Sequence, residues 1–386
     1  MKVAPDSRLD ALRGSAPRQN YTARSLAALA NNPRCALRAV LDASGSNKEA
    51  IADHAGYPAQ FGQSIFAITR GNNFEKMVKA NGCAELLRVL RDVLELPIPQ
   101  VGYRNLEHVG GQSGPSVRHA ETRKLLVAAA RGDGDGALYD HPLLRLTVGG
   151  QPAFLEPDLV AFKFNSQFYV VEIKSFPIVD GQADPESVRS ATTQACAYVL
   201  ALRTMFEAAG ISNPDEIVSD KIVLIGPKNF TNRPTGAFVD ARNQVQNLAR
   251  QLARIERIGK QIDLLPEDLT FDLAEDEQGR AQRPQAELVE ALDTVPAAYR
   301  PDCLSHCEMA FFCRSRARAS RSLDVIGSTV TEPLGGIDTV TMALGLARGE
   351  IEPSHEQTEM AVALRHAARL RAELVTTDDA AIRGTR

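Results

Sequence analysis

The sequence predicts an α/β protein. Three observations carry that reading. Apolar residues recur at helical spacing through the first third of the chain, the period shortens to two between about residues 143 and 174, and helical spacing returns from residue 185. The 386 residues suffice for one large domain or two ordinary ones. With 44% hydrophobic and 24% charged residues, the composition is that of a packed globular protein and excludes wholesale disorder or a collagen-like repeat. No apolar run reaches the roughly 18–20 residues of a membrane span. The opening Met1-Lys2-Val3-Ala4-Pro5-Asp6 leads into a polar, Arg-bearing stretch without an apolar signal core, so the expected compartment is the cytoplasm. The net charge of −4 gives no global cationic field, so contact with nucleic acid would rest on local basic patches. Tryptophan is absent and aromatics are 5%, which makes base-stacking platforms a secondary idea.

The elements follow in order. Residues 1–23 are polar and are expected to form a mobile segment. Leu26, Leu29, Leu37, Val40 and Leu41 give helical spacing over 24–43. Residues 61–95 read as one or two helices, from Phe61 and Phe66 through Phe74, Met77, Leu86, Leu90 and Val93, stopped by Pro97 and Pro99. A Gly/Ser-rich loop precedes a helix over 117–131, which the Gly132-Asp133-Gly134-Asp135-Gly136 run breaks. Three strands in series follow, Leu143–Val148, Ala153–Phe164 and Gln167–Lys174, with Gly149-Gly150 and Asn165-Ser166 as turns. A helix spans 185–209, Ile222–Ile225 is a short strand, and 240–260 form an amphipathic helix with Val245, Leu248, Leu252 and Ile255 on one face. Residues 263–300, acidic and proline-bearing, read as a surface excursion, and 355–375 as a final helix.

Six cysteines are unevenly placed: Cys35, Cys83, Cys196, Cys303, Cys307 and Cys313. The last three form a C-x3-C-x5-C cluster. In a reducing compartment, clustered thiols point to a metal rather than to disulfides. A fourth ligand is needed, and Cys35, at a loop-to-helix junction after Asn31-Asn32-Pro33-Arg34, is the candidate. Cys83 and Cys196 lie in helical patterns and read as small buried hydrophobes.

The chemistry concentrates in the second and third strands. The second contains Glu156-Pro157-Asp158 and the third ends Val170-Val171-Glu172-Ile173-Lys174. Side chains alternate along a strand, so Glu172 and Lys174 share one face while Tyr169, Val171 and Ile173 take the other, toward a core. Folding the two strands on the Asn165–Gln167 turn brings Asp158 to the Glu172/Lys174 end, at a sheet edge. Two carboxylates and a lysine there would suit a hard divalent cation and a phosphate or a water. On the following helix Gln194 and Tyr198 are four apart and share a face. Upstream, Gly71-Asn72-Asn73-Phe74-Glu75 lies on a helix.

The order G-x-x-x-(H or E), D, E-x-K, Q-x-x-x-Y resembles the RecB-like branch of the PD-(D/E)XK nuclease superfamily. With one upstream and three C-terminal cysteines, it resembles in particular the iron–sulfur members, such as the CRISPR-associated RecB-like exonucleases and the AddB-type nuclease domains. The resemblance covers about residues 25–320. It implies a restriction-endonuclease-like core over 24–325, with a mixed central β-sheet flanked by helices and a C-terminal iron–sulfur segment, followed by a helical tail over 326–386. It implies that Asp158 and Glu172 bind Mg²⁺ or Mn²⁺ with the carbonyl of Ile173, that Lys174 is the catalytic lysine, and that Gln194 and Tyr198 orient the site and the DNA strand. Glu75 falls where many relatives have a metal-binding histidine, with Glu121 as its competitor. Cys35, Cys303, Cys307 and Cys313 match ligands of a [4Fe–4S] cluster. Four cysteines could equally hold zinc, the alternative occupant; the first C-terminal spacing is x3 where x2 is commoner, and His306, inside that interval, is an alternative ligand.

Basic patches for DNA are Arg314, Arg316, Arg318 and Arg321, directly after the last cysteine, and Arg250, Arg254 and Arg257, which line one helix face. No Walker loop is present, so the chain is not its own ATP motor. The expected function is a metal-dependent DNA nuclease, an exonuclease or DNA-end processor in DNA repair or phage defence. Its substrate would be single-stranded DNA or DNA with a free end, and a helicase or defence-system subunit its partner. The alternatives are a restriction-type endonuclease with a zinc site and an inactive DNA-binding subunit.

Overall fold

A computed structural model describes residues 5–59, 65–93, 95, 102–111, 114–132, 137–148, 151–164, 167–255, 258, 262–331 and 333–383. The chain is mixed α/β and divides into two compact units. The first takes in residues up to 33, 38–47 and 62–282, and the second 34–37, 48–61 and 283–386. No helix among the described residues is long and apolar enough to cross a membrane.

The chain begins with helices α1 (Pro5–Arg13), α2 (Ala23–Asn31), α3 (Ala36–Ser44), α4 (Lys48–His54) and α5 (Ile65–Arg88). Strand β1 (Gly102–Asn105) and helix α6 (Pro115–Ala130) lead into strands β2 (Ala137–Asp140), β3 (Leu144–Val148), β4 (Gln151–Leu155), β5 (Leu159–Phe164) and β6 (Gln167–Ile173). Helices α7 (Pro185–Ala208) and α8 (Pro214–Ile217), strands β7 (Lys221–Pro227) and β8 (Pro234–Asp240), and helix α9 (Arg242–Ile255) follow.

Six strands form one sheet in the order β1-β2-β5-β6-β7-β8. The β1/β2 and β6/β7 pairs are parallel, and the β2/β5, β5/β6 and β7/β8 pairs are antiparallel. Strands β3 and β4 make a separate antiparallel hairpin. β6 (Gln-Phe-Tyr-Val-Val-Glu-Ile) is rich in β-branched and aromatic residues and is buried on both faces, as expected of a central strand with a parallel neighbour. One face carries Tyr169, Val171 and Ile173 into a core with Val223 and Ile225 of β7 and with Phe74, Val78, Leu86 and Leu90. Helix α7 packs against β6. It starts at Pro185, capped by Asp184, whose side chain accepts from the Ser187 amide at 2.8 Å. Its buried face is rich in small residues (Ala191, Ala195, Cys196, Ala197), which lets it lie close to its neighbours.

Four expectations are corrected: the mobile N-terminus, the single second strand, the surface excursion and the separate tail. The segment 1–23 is not mobile over its described part: α1 buries Leu9 and Leu12, the Phe271 amide donates to the Leu12 carbonyl at 2.7 Å, and Arg8 donates to the Glu267 carbonyl at 2.8 Å. A single i, i+3 leucine pair in a polar stretch supplies the buried stripe. The second expected strand is two strands, because Pro157 cannot donate to a ladder and the chain changes sheet at Glu156-Pro157-Asp158. The excursion over 263–300 buries Phe271, Leu273, Leu288, Leu292 and Val295 and contains a helix over Gln285–Asp293. The tail is not separate at 326: Leu323 shares a core with Leu334, Ile337, Leu346 and Ala361, and the Leu323 amide donates to the Asp338 carbonyl at 2.9 Å. Within the one or two helices expected over 61–95, α5 is two helical stretches parted at Ala80–Cys83, where Asn81, Gly82 and Cys83 have φ of 53°, 65° and 65°. Phe61, Pro97, Pro99 and the turns at Gly149-Gly150 and Asn165-Ser166 lie outside the described residues.

Candidate active site and thiol cluster

Leu159 of β5 stands opposite Val171 of β6, so Asp158 sits at the level of Glu172. The Ile173 amide donates to Asp158 Oδ2 at 3.0 Å. In a strand the amide and carbonyl of one residue face the same neighbour, so the Ile173 carbonyl also faces the Asp158 side. The Lys174 amide donates to the Ile225 carbonyl of β7 at 2.9 Å, which fixes the end of β6 from its other side. Lys174 Nζ lies 2.5 Å from Glu172 Oε1 and 4.0 Å from Asp158 Oδ2, and donates to Gln194 Oε1 at 3.4 Å. Gln194 Nε2 donates to the Tyr198 hydroxyl at 2.9 Å. The five residues expected to act together are therefore together. They lie at the ends of central strands, not at a sheet edge, because β2 and β1 extend the sheet beyond β5.

The site is short of positive charge. Glu172 is 0% exposed. Burial pushes its carboxyl up to about 8; Lys174 opposes this, while Asp158 and Glu75 add to it. Burial also raises Asp158. Burial alone would lower Lys174, but Glu172, Asp158 and Glu75 outweigh it and hold the ammonium above its ordinary value. Neither Glu172 oxygen accepts a well-aligned hydrogen bond. A fully buried carboxylate so placed, beside a second carboxylate and a carbonyl, fits a hard cation as ligand set. Among the described residues, no three His, Cys, Asp or Glu side chains stand in metal-holding geometry as they are.

Glu75 belongs to this neighbourhood, as its effect on Asp158, Glu172 and Lys174 shows; Glu121, half-buried on α6, is not among the main charges acting on them. Gly71 lies across from Ser175: a Cβ there would stand 3.7 Å from Ser175 Oγ, an ordinary contact, so the motif glycine is not required sterically. Sequence reasoning missed the groups that hold Glu75. Lys79 Nζ is 2.5 Å from Glu75 Oε1 and 2.6 Å from Asp140 Oδ1, and donates to the Asp158 carbonyl at 2.9 Å. The Tyr103 hydroxyl donates to Asp140 Oδ2. His141 Nδ1 lies 3.2 Å from Glu156 Oε1, which also pairs with Arg118 at 2.7 Å. Burial opposes the ionisation of Glu156, but His141 and Arg118 prevail and hold it down at about 2. The one sequence signal was the i, i+4 spacing of Glu75 and Lys79. Asp140 and His141 end a strand too short to read.

In the second unit Cys35 comes together with the C-terminal cysteines. Cys303 and Cys307 bracket a short helix (Cys303–His306), and Cys313 lies on the next (Ala310–Ala319). All four are buried. The Cys313 thiol is driven well up, first by burial and then by Cys35, Cys307 and Cys303, so the other three sulfurs lie within electrostatic reach. The Leu37 amide donates to the Pro296 carbonyl at 3.0 Å and holds the Cys35 segment in this unit. Four converging buried thiols fit a metal or cluster as donor set, although they would have to draw together to bind one. His306 is also buried, its Nδ1 3.1 Å from Ser305 Oγ. Cys83 and Cys196 are fully buried elsewhere, and burial pushes each thiol up to about 12.

Of the arginines, Arg318 and Arg321 are exposed and Arg314 is half-buried. Arg316 is engaged within its unit, 2.7 Å from Asp293 Oδ2 and stacked over the Phe312 ring. Arg250 is exposed on α9. Arg254 lies on the same helix, and Arg257 is outside the described residues. No protein-family model matches the chain, and no curated protein matches it.

Proposed function

We propose that the protein is a metal-dependent DNA nuclease of the RecB-like PD-(D/E)XK type, with a restriction-endonuclease-like core and an iron–sulfur cluster on Cys35, Cys303, Cys307 and Cys313. The observation that carries this reading is the convergence of Asp158, fully buried Glu172 and Lys174 at the ends of adjacent central strands, backed by Gln194 and Tyr198. Mg²⁺ or Mn²⁺, held by Asp158, Glu172, Glu75 and the Ile173 carbonyl, would supply Lewis-acid polarisation of the scissile phosphate and acidify a water. The chain's own residues do the rest. Lys174 keeps its proton and holds the attacking water and a phosphate oxygen in line. Gln194, steadied by Tyr198, fixes the Lys174 ammonium. Lys79 pins Glu75 and the Asp158 backbone. Cys35, Cys303, Cys307 and Cys313 would hold the cluster, which would tie an N-terminal segment to the C-terminal one in a structural role.

The deciding experiment is cleavage of end-labelled single- and double-stranded DNA with Mg²⁺ or Mn²⁺ against a chelator. Metal-dependent cleavage that is lost in Lys174→Ala supports the reading. Cleavage unchanged in that variant, or no cleavage of either substrate, refutes it. DNA repair or phage defence, in the cytoplasm and beside a helicase or defence subunit, is the setting this reading favours.

A further inference from the structure

The β7–β8 turn carries an unexplained residue. The Thr231 amide donates to the Lys228 carbonyl at 2.9 Å, and the two central residues, Asn229 and Phe230, have φ of 48° and 62°. That is the turn in which Asn-Gly is favoured, because both central positions are left-handed. Here phenylalanine stands in the glycine position, although a bulky residue with positive φ is a genuine outlier. The ring is 79% exposed. The position is thus unfavourable twice, in backbone conformation and in apolar exposure, and the ring gains no core contact in return. Strain of this kind, kept where packing does not need it, points to function.

The surroundings say which. Residues 228–233 are all exposed, and neither the Lys228 nor the Arg233 side chain takes part in an ion pair among the described residues. Ile225 is level with Ile173 across the parallel β6/β7 pair, so at about 3.3 Å per residue Lys228 lies about 10 Å beyond the end of β6, at the candidate active end of the sheet. The turn is tied to the loop that follows Lys174. The Ile178 amide donates to the Pro227 carbonyl at 2.8 Å, the Asn229 amide to the Ile178 carbonyl at 3.0 Å, and the Asp180 amide to Asn229 Oδ1 at 3.0 Å. A Cβ on Gly226 would stand 3.0 Å from the Phe176 carbonyl, so the strand and this loop are packed tightly. The finger is therefore held rigidly against the loop. Asp180, tied to Asn229, is an acidic neighbour of the turn, so contact with phosphate would fall to Lys228 and Arg233. One exposed ring at the tip of a turn whose base carries two cations, Lys228 paired with Arg233, matches one base and its phosphates.

We propose that Phe230, with Lys228 and Arg233, is a base-stacking finger that grips single-stranded DNA at the active end of the sheet. The proposal rests on the nuclease reading for its polymer, but its test does not need cleavage. Because the chain has no tryptophan, Phe230→Trp gives one fluorophore at the finger. In a chelating buffer, a single-stranded oligothymidylate should quench that emission, and Phe230→Gly should bind a labelled oligonucleotide about 10- to 100-fold more weakly while keeping or raising its Tm. Lys228→Glu with Arg233→Glu should weaken binding and flatten its salt dependence. Unquenched emission at saturating oligonucleotide, or wild-type affinity in Phe230→Gly, overturns the finger even if the protein cleaves DNA. A blue shift on anionic vesicles without an oligonucleotide response overturns it in favour of a membrane contact. Quenching and Phe230-dependent binding in a protein that cuts nothing keep the finger and remove the nuclease reading.

Discussion

Replacing Glu172 by glutamine should stabilise the metal-free protein. The carboxyl is completely buried, and its proton is held up to about 8 against an ordinary 4.5. An acid with a raised folded-state value contributes stability that is complete below its unfolded value and is lost as pH rises through the folded one. Integrated over that window, the loss in the wild-type chain is about 1 kcal/mol at pH 5 and about 4 kcal/mol at pH 8. Glutamine mimics the protonated acid and escapes this loss, although Lys174 then loses its nearest negative charge, which trims the gain. Urea unfolding followed by circular dichroism in chelator, at pH 5 and pH 8, reads the difference. The advantage of Glu172→Gln should widen with pH. Saturating Mn²⁺ should reverse it, because only the wild type has the ligand. A variant less stable than wild type at pH 8 without metal would mean that the Glu172–Lys174 pair is net stabilising, and the reasoning about a site short of positive charge would fail.

Asp158→Ala and Lys174→Ala should each lower Mn²⁺-dependent cleavage by about 10³-fold or more with the circular dichroism spectrum unchanged, as loss of a group acting on the reacting phosphate requires. Lys79→Met should lower both metal affinity and stability, the latter by about 3 kcal/mol, because it leaves Asp140 buried without its cation; isothermal titration and urea unfolding measure the two, and a variant as stable as wild type would show that Lys79 holds nothing. Single Cys→Ser changes at 35, 303, 307 and 313 should bleach an anaerobically prepared brown protein, whereas Cys83→Ser and Cys196→Ser should keep its colour; one equivalent of zinc and no iron in the wild type would replace the iron–sulfur assignment. Leu12→Ala should lower stability by about 2–5 kcal/mol, a loss that a mobile N-terminus would not suffer.

The candidate site was more legible in the sequence than the fold around it. Strand alternation alone places Glu172 and Lys174 on one face, and a short turn brings Asp158 to their level, so local rules suffice for that triad. Gln194 and Tyr198 were legible for the same reason on a helix. Lys79, Asp140 and His141 were not, because their meeting depends on β2 pairing with β1 and β5, and strands of four residues carry too little pattern to show. The break at Glu156-Pro157-Asp158 was written in the proline and was overruled by apolar residues on either side. The order of α1 rests on Leu12 meeting the 269–273 segment, a contact between distant residues that no local window contains.

The second unit is assembled from three separated stretches, 34–37, 48–61 and 283–386. During synthesis the first two emerge early and must wait for the last hundred or so residues before they have anything to pack against. The first unit, complete once residue 282 has left the ribosome, can fold before then. Cys35 therefore leaves the ribosome well before Cys303, Cys307 and Cys313. On the proposed reading the thiol centre can close only after Cys313 has emerged, and a chain that stopped before Cys303 would carry the Asp158–Glu172–Lys174 triad without it.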